Sequence, residues 1–154
     1  MKKVTIHTLY EKKSNHQPIT WLTAYDYPTA RLEEQTGIDI ILVGDSIGMT
    51  VFGFDSTLPV TMDLLIPHTQ AVRKAAPNVF LVGDMPYMSY QTGPQEAICN
   101  AGRFMAECGC DTVKLEGGRE VLDTIKAVVK ATIPVVGHLC LTPQSIAMLG
   151  GFKA

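Results

Sequence analysis

A chain of 154 residues, 46% hydrophobic and 18% charged, is long enough for a real core and too apolar to be disordered or fibrous. Its formal net charge of −2, with no basic run beyond Lys2-Lys3 and Lys12-Lys13, argues against a nucleic-acid surface. No apolar run reaches about 18 residues, and MKKVTIHTLYEKKSN has no apolar stretch behind its lysines, so neither a membrane span nor a signal peptide is expected.

A short N-terminal helix over about 4–14 comes first, followed by units over about 19–154, read together as one domain. Five apolar runs then read as strands: Ile19–Asp26, Asp39–Ser46, Val79–Met85, Asp111–Gly118 and Ile133–Leu139. Their weak alternation suits strands covered on both faces of a parallel sheet. Helical patterns lie between and after them, over Pro28–Gly37, Thr61–Pro77, Gly93–Gly109, Gly118–Pro134 and Pro143–Leu149. Thr61 reads as an N-cap and Gly109 as a C-cap, while Val121, Ile125, Val128 and Val129 read as one apolar face. Pro67 conflicts with its helix, which must either kink there or begin there. Strand and helix alternate throughout, so the expected class is α/β with a parallel sheet. The long stretch Ser46–Leu58 exceeds an ordinary strand-to-helix loop, and loops of that size carry function.

Each strand ends in a polar side chain able to bind a metal or a proton: Asp26, Asp45, Asp84, Glu116 and His138. Parallel strands place their C-termini on one side, so these five residues are expected to converge on one face. Converging carboxylates repel unless a cation joins them or their pKa values rise. Oxygen ligands favour a hard ion such as Mg²⁺, held by Asp45 with Asp84, and with Glu116 in the same group. Lys114 precedes Glu116 by two residues and shares its strand face, either as a salt-bridge partner or as an anion binder. Ser46 can offer a hydroxyl and an N–H to an anion. Such a set suits a small 2-oxo acid whose enolate a metal stabilises. His7 and His16 read as surface residues and His68 as a helix residue. Gly117-Gly118 is a weak phosphate-turn signal. Cys99, Cys108, Cys110 and Cys140 form no C-x-x-C pair and read as reduced thiols in a cytosolic protein.

The stretches TAYDYPTARL, LVGDSIGMTVFGFDSTLPVT, HTQAVRKAAPN, GDMPYMSY, VKLEGG and PVVGHLCLTPQS closely resemble the 3-methyl-2-oxobutanoate (ketopantoate) hydroxymethyltransferase family. The resemblance implies a (β/α)₈ TIM barrel of the phosphoenolpyruvate mutase and isocitrate lyase superfamily, here about its first five βα units. It implies Mg²⁺ on Asp45 and Asp84 with Glu116 in the metal's environment. It further implies 2-oxo-acid contacts from Asp45, Ser46, Asp84 and Lys114, with His138 lining the site. Methylene-tetrahydrofolate would supply the one-carbon unit to the enolate of 3-methyl-2-oxobutanoate, giving 2-dehydropantoate in pantothenate biosynthesis. Family members are cytoplasmic by this reading and commonly decameric, so self-association is expected. Cys140 departs from the small residue usual in the family's GHLGLT stretch.

Five units in 154 residues are about 31 residues each, and eight would need roughly 250. The family's base, a Glu, belongs to a segment after Ala154, so no residue here is assigned as base and the 154 residues alone are expected to be inactive. The alternatives are a Mg²⁺-dependent carbon–carbon lyase or mutase of the same superfamily, or a non-catalytic fragment that serves as an interaction module. The GDSIGMTVFGFDSTLPVT loop lacks the Cys expected of a lyase.

Overall fold

The computed structural model describes residues 2–151. Among them five strands form one parallel sheet in the order β1-β2-β3-β4-β5. They are β1 Trp21–Thr23, β2 Ile40–Val43, β3 Phe80–Asp84, β4 Thr112–Glu116 and β5 Val135–His138. Neighbouring strands are consecutive in the chain because a helical crossover returns each one beside its predecessor. The result is the parallel α/β sheet that the alternation predicts, in five units of the (β/α)₈-type barrel that the resemblance implies. Strand boundaries are shorter than expected. The first run narrows to three residues because only Trp21–Thr23 lie opposite Ile40–Leu42.

The helices are α1 Ile6–Ser14, α2 Tyr27–Gln35, α3 Ile47–Thr50, α4 Met62–Ala75, α5 Pro94–Cys108, α6 Leu122–Lys130 and α7 Ile146–Leu149. Short 3₁₀ turns over Arg119–Val121 and Pro143–Ser145 precede α6 and α7. No helix among the described residues is long and apolar enough to cross a membrane. The C-terminal stretch GGFK, residues 150–153, lies from Phe152 onward outside the described residues.

The pleat divides the sheet into two faces. Odd-numbered residues Ile41, Val43, Leu81, Val113 and Leu115 belong to the large core cluster, with Leu65 and Val72 of α4, Phe104 of α5 and Val128 of α6. Even-numbered residues Ile40, Phe80 and Val82 form a second, smaller cluster with Leu42, Val4 and Leu9 of α1. So α1 covers the inner face toward the strand N-termini, and the inner face toward the C-termini is left to polar side chains. Gly83 lets α5 approach β3: a Cβ there would lie 2.6 Å from the Phe104 ring.

Cap chemistry sets the helix ends. Thr61 accepts from Leu64 N–H at 3.3 Å and starts α4, and Gly109 closes α5 in the left-handed conformation. Helix α4 therefore runs through Pro67 and does not begin there. Pro67 is exposed, and it lacks the N–H that would reach the Asp63 carbonyl. The expected face of α6 needs one correction. Val121 and Val128 are buried and Ile125 half-buried, but Val129 is 52% exposed. At about 100° per residue, Val129 stands roughly 80° around the helix from Val121 and leaves the buried stripe.

Candidate metal-binding site

The even-numbered side of β3 and β4 turns from apolar to charged at its C-terminal end. Phe80 and Val82 give way to Asp84, and Thr112 to Lys114 and Glu116. The strand register pairs Asp84 with Lys114, and Glu116 with His138. Asp45 enters from the turn after β2, where Gly44 permits a close approach. A Cβ at Gly44 would lie 2.8 Å from Asp84 Oδ2.

Backbone placement therefore brings Asp45, Asp84 and Glu116 together. One ligand oxygen from each lies within 4.8 Å of the others, and all three residues are buried. Lys114 Nζ is 2.7 Å from Asp84 Oδ1 and 3.3 Å from Glu116 Oε1. His138 Nδ1 is 3.1 Å from Glu116 Oε1 and 3.4 Å from Lys114 Nζ, so it can donate to the carboxylate or accept from the ammonium. These groups line a cavity of about 280 Å³ together with Ser46 and Pro143.

The electrostatics are unbalanced. Three carboxylates face one ammonium, a deficit of negative-charge compensation that a divalent cation suits. Burial pushes Asp84 up to about 7, against the pull of Lys114, and the nearby Asp45 carboxylate adds to the rise. Burial also raises Asp45, opposed by a hydrogen bond from Gln144. Burial alone would lower Lys114, but Asp84, followed by Glu116 and Asp45, holds its ammonium above the ordinary range.

Asp84 Oδ1 is buried without a directed hydrogen bond, its 2.7 Å approach to Lys114 being an ion pair of poor angle. A buried carboxylate oxygen held by an ammonium alone, in an oxygen-rich group, fits a hard divalent ion. Glu116 is better satisfied. Its Oε1 faces Lys114 and His138, and its Oε2 accepts from Gln144 N–H at 3.2 Å. Asp84 thus has more coordination to offer than Glu116.

Four of the five strand-end residues, Asp45, Asp84, Glu116 and His138, are brought together. The fifth, Asp26, is not. It is exposed and caps α2, accepting from Thr29 N–H at 2.8 Å. Because β1 stops at Thr23, Asp26 falls beyond the strand end and at the helix start, where an Asp side chain satisfies an orphan N–H. Ser46 sits at the rim with its Oγ 2.6 Å from Tyr25 Oη. His68 Nδ1 bonds the Tyr25 carbonyl at 2.7 Å, bracing that contact from α4. His7 and His16 are exposed, and the Gly118 N–H is taken by Glu120 at 2.8 Å rather than left open for a phosphate.

Three site neighbours escaped the sequence reading: Tyr25, Tyr90 and Gln144. Gln144 Nε2 donates to Asp45 Oδ2 at 2.8 Å across 99 positions of sequence. No local pattern marks it, because its partners come from the turns after β2 and β3 and from the end of β4. The one available signal was its place just after the fifth strand, within PVVGHLCLTPQS.

A family model described as ketopantoate hydroxymethyltransferase matches residues 3–154. The 3-methyl-2-oxobutanoate hydroxymethyltransferase of Geobacillus kaustophilus is 56% identical over 144 residues, 94% of this chain and 52% of that protein. That of Syntrophomonas wolfei is 53% identical over 153 residues, 99% of this chain and 55% of that protein. The chain thus spans about half the length of the relatives it matches.

Among solved structures, a phosphonopyruvate hydrolase in complex with oxalate and Mg²⁺ superposes with a TM-score of 0.70 at 15% identity, covering 89% of this chain and 52% of that one. A 2,3-dimethylmalate lyase of the PEP mutase/isocitrate lyase superfamily gives 0.66 at 16% identity, covering 85% and 51%. Identities this low carry the fold alone. The family match, by contrast, runs from the third residue to the last and coincides with the acidic strand ends. The chain belongs to the ketopantoate hydroxymethyltransferase family.

Proposed function

We propose that this chain supplies the Mg²⁺- and 2-oxo-acid-binding part of an enzyme that transfers a hydroxymethyl group from methylene-tetrahydrofolate to 3-methyl-2-oxobutanoate, giving 2-dehydropantoate. The observation that carries this reading is the buried Asp45, Asp84 and Glu116 group beside Lys114, on a chain whose relatives bear that name. Asp45 and Asp84 would hold the ion, with Glu116 close by. Bound there, Mg²⁺ supplies Lewis-acid polarisation of the keto and carboxylate oxygens. Lys114 presents a fixed positive charge to an anionic substrate. Ser46, at the rim, offers a hydroxyl to the same anion. His138 lines the cavity and is placed to hold or pass a proton next to Glu116.

No described residue is assigned as the base that takes the proton beside the keto group. These residues by themselves are therefore expected to bind substrate without forming product. Cytoplasmic location and self-association belong to the same reading. The superfamily lyase reading is weaker. Relatives at 53–56% identity are named transferases, whereas the 2,3-dimethylmalate lyase stands at 16%.

Calorimetric titration tests the proposal. Mg²⁺ should bind first, and 3-methyl-2-oxobutanoate should bind tightly only with the metal present. Asp84→Asn should lower Mg²⁺ affinity by about tenfold or more. Equal Mg²⁺ affinity in the two proteins would remove the basis of the assignment.

A further inference from the structure

We propose that Gln144 is a positioning residue for the acidic cluster, its side-chain amide and backbone N–H together fixing Asp45 and Glu116 at the spacing that lets the three carboxylates share one cation. This inference rests on the cation-site reading above and deepens it.

Gln144 lies in the 3₁₀ turn after β5 and is only 6% exposed. Each polar atom of its side chain is used. Nε2 donates to Asp45 Oδ2 at 2.8 Å and to the Met85 carbonyl at 2.9 Å. Oε1 accepts from Gln91 Nε2 at 3.0 Å and lies 2.8 Å from Tyr90 Oη. Its backbone N–H donates to Glu116 Oε2 at 3.2 Å. A main-chain carbonyl can only accept, so Met85 dictates which end of the amide is the donor end. A flip would set oxygen against the Met85 carbonyl and against a carboxylate. The amide therefore has one orientation, and in it an N–H faces Asp45.

The other end is held equally firmly. Tyr90 Oη accepts from Glu116 N–H at 3.1 Å and lies 3.0 Å from the Glu116 carbonyl. Its single proton goes either to that carbonyl or to Gln144 Oε1. Tyr90 is buried at 1% exposure, so this hydroxyl has no water to replace a lost partner. One side chain thus joins Asp45 after β2, Met85 after β3 and, through Tyr90 and its own backbone, Glu116 at the end of β4. Those are the segments that carry the three carboxylates. Partners that orient ligating carboxylates typically change metal affinity by about 10–100-fold when removed.

The test is Mn²⁺ binding, followed by the loss of the free-ion electron paramagnetic resonance signal, on the chain and five variants, Asp84→Asn among them. Gln144→Met keeps the length of the side chain and removes its donors. Its Mn²⁺ affinity should fall about 10–100-fold. Tyr90→Phe should give a smaller loss, and the double variant should lose less than the two single losses together, because one network is broken twice. Leu65→Ala, a truncation in the core cluster on the opposite face of the sheet from Lys114 and Glu116, should melt earlier yet bind Mn²⁺ like the parent.

A folded Gln144→Met that binds within twofold of the parent overturns the proposal. So does a Leu65→Ala that loses as much affinity. If Gln144→Met does not fold, Tyr90→Phe decides, and unchanged affinity there overturns it. Should Asp84→Asn bind as well as the parent, the cation-site reading falls and this inference falls with it. Should Asp84→Asn fail to bind while both network variants bind normally, only this inference falls.

Discussion

Asp84 and Asp39 show how one residue type takes opposite characters from its surroundings. Asp84 is buried among like charges, and its carboxyl is held up near 7 despite Lys114. For Asp39, burial also acts to raise the pKa, but the Lys12 ammonium at 2.5 Å and hydrogen bonds from Thr20 outweigh it, and the carboxyl ends below the ordinary aspartate range. The sign for stability follows. Asp39 stabilises the fold above the unfolded aspartate pKa of about 3.9, and that contribution is lost as pH falls through the lower folded value. Urea unfolding between about pH 5 and pH 2 should therefore show a shallower loss of stability for Asp39→Asn than for the parent. Parallel curves would show that the Lys12 contact contributes nothing. The Asp39 contact was not legible in the sequence, since Lys12 lies 27 positions away on a helix whose docking side depends on the inner face of the sheet.

At the scale of elements, local signals mostly agreed with the outcome. The helical runs α2, α4 and α5 begin at Asp26, Thr61 and Gly93 and end near Gly37, Ala76 and Gly109, close to the punctuation that the chain displays. Asp26 is the exception that teaches most. Its residue type suited both a strand-end ligand and an N-cap, and only the early stop of β1 decided between them. Pro67 marks a second conflict. Core contacts of Leu65, Ile66 and Val72 carry α4 through a position that lacks its hydrogen bond. Because Pro67 is exposed, Pro67→Ala restores that bond without altering the core. A gain of about 1–2 kcal/mol is expected, less than the full helix-interior penalty because the unfolded chain also becomes freer. Chemical denaturation checks it, and a loss of stability would mean that proline is favoured in this helix.

For the whole molecule, the charged end of the inner face and its apolar end have different needs. The apolar end, with Trp21, Ile40, Phe80 and Val82, borders a cleft of about 450 Å³ under α1. The charged end concentrates three carboxylates against one ammonium, a repulsion that opposes folding and that a bound cation would relieve. A ligand that binds only the native state at about 100 times its Kd adds roughly 2.7 kcal/mol of stability. For a chain of this length that corresponds to a rise in Tm of about 5–10 °C. Saturating Mg²⁺ should produce such a rise, chelation should reverse it, and Asp84→Asn should abolish it. A Tm that ignores Mg²⁺ in the parent chain would contradict a cation site coupled to folding.

The sequence by itself determined the alternation of strand and helix, the parallel class, the family and the acidic ends of β2, β3 and β4, because each is written in local periodicity or in contiguous motifs. Tertiary structure alone decided which acids meet. The β3–β4 register set Asp84 beside Lys114, the short β1 released Asp26 to a helix cap, and the turn after β5 delivered Gln144 to Asp45. Contacts between residues 30 to 99 positions apart depend on how strands are paired and twisted together, and no window of sequence contains that information.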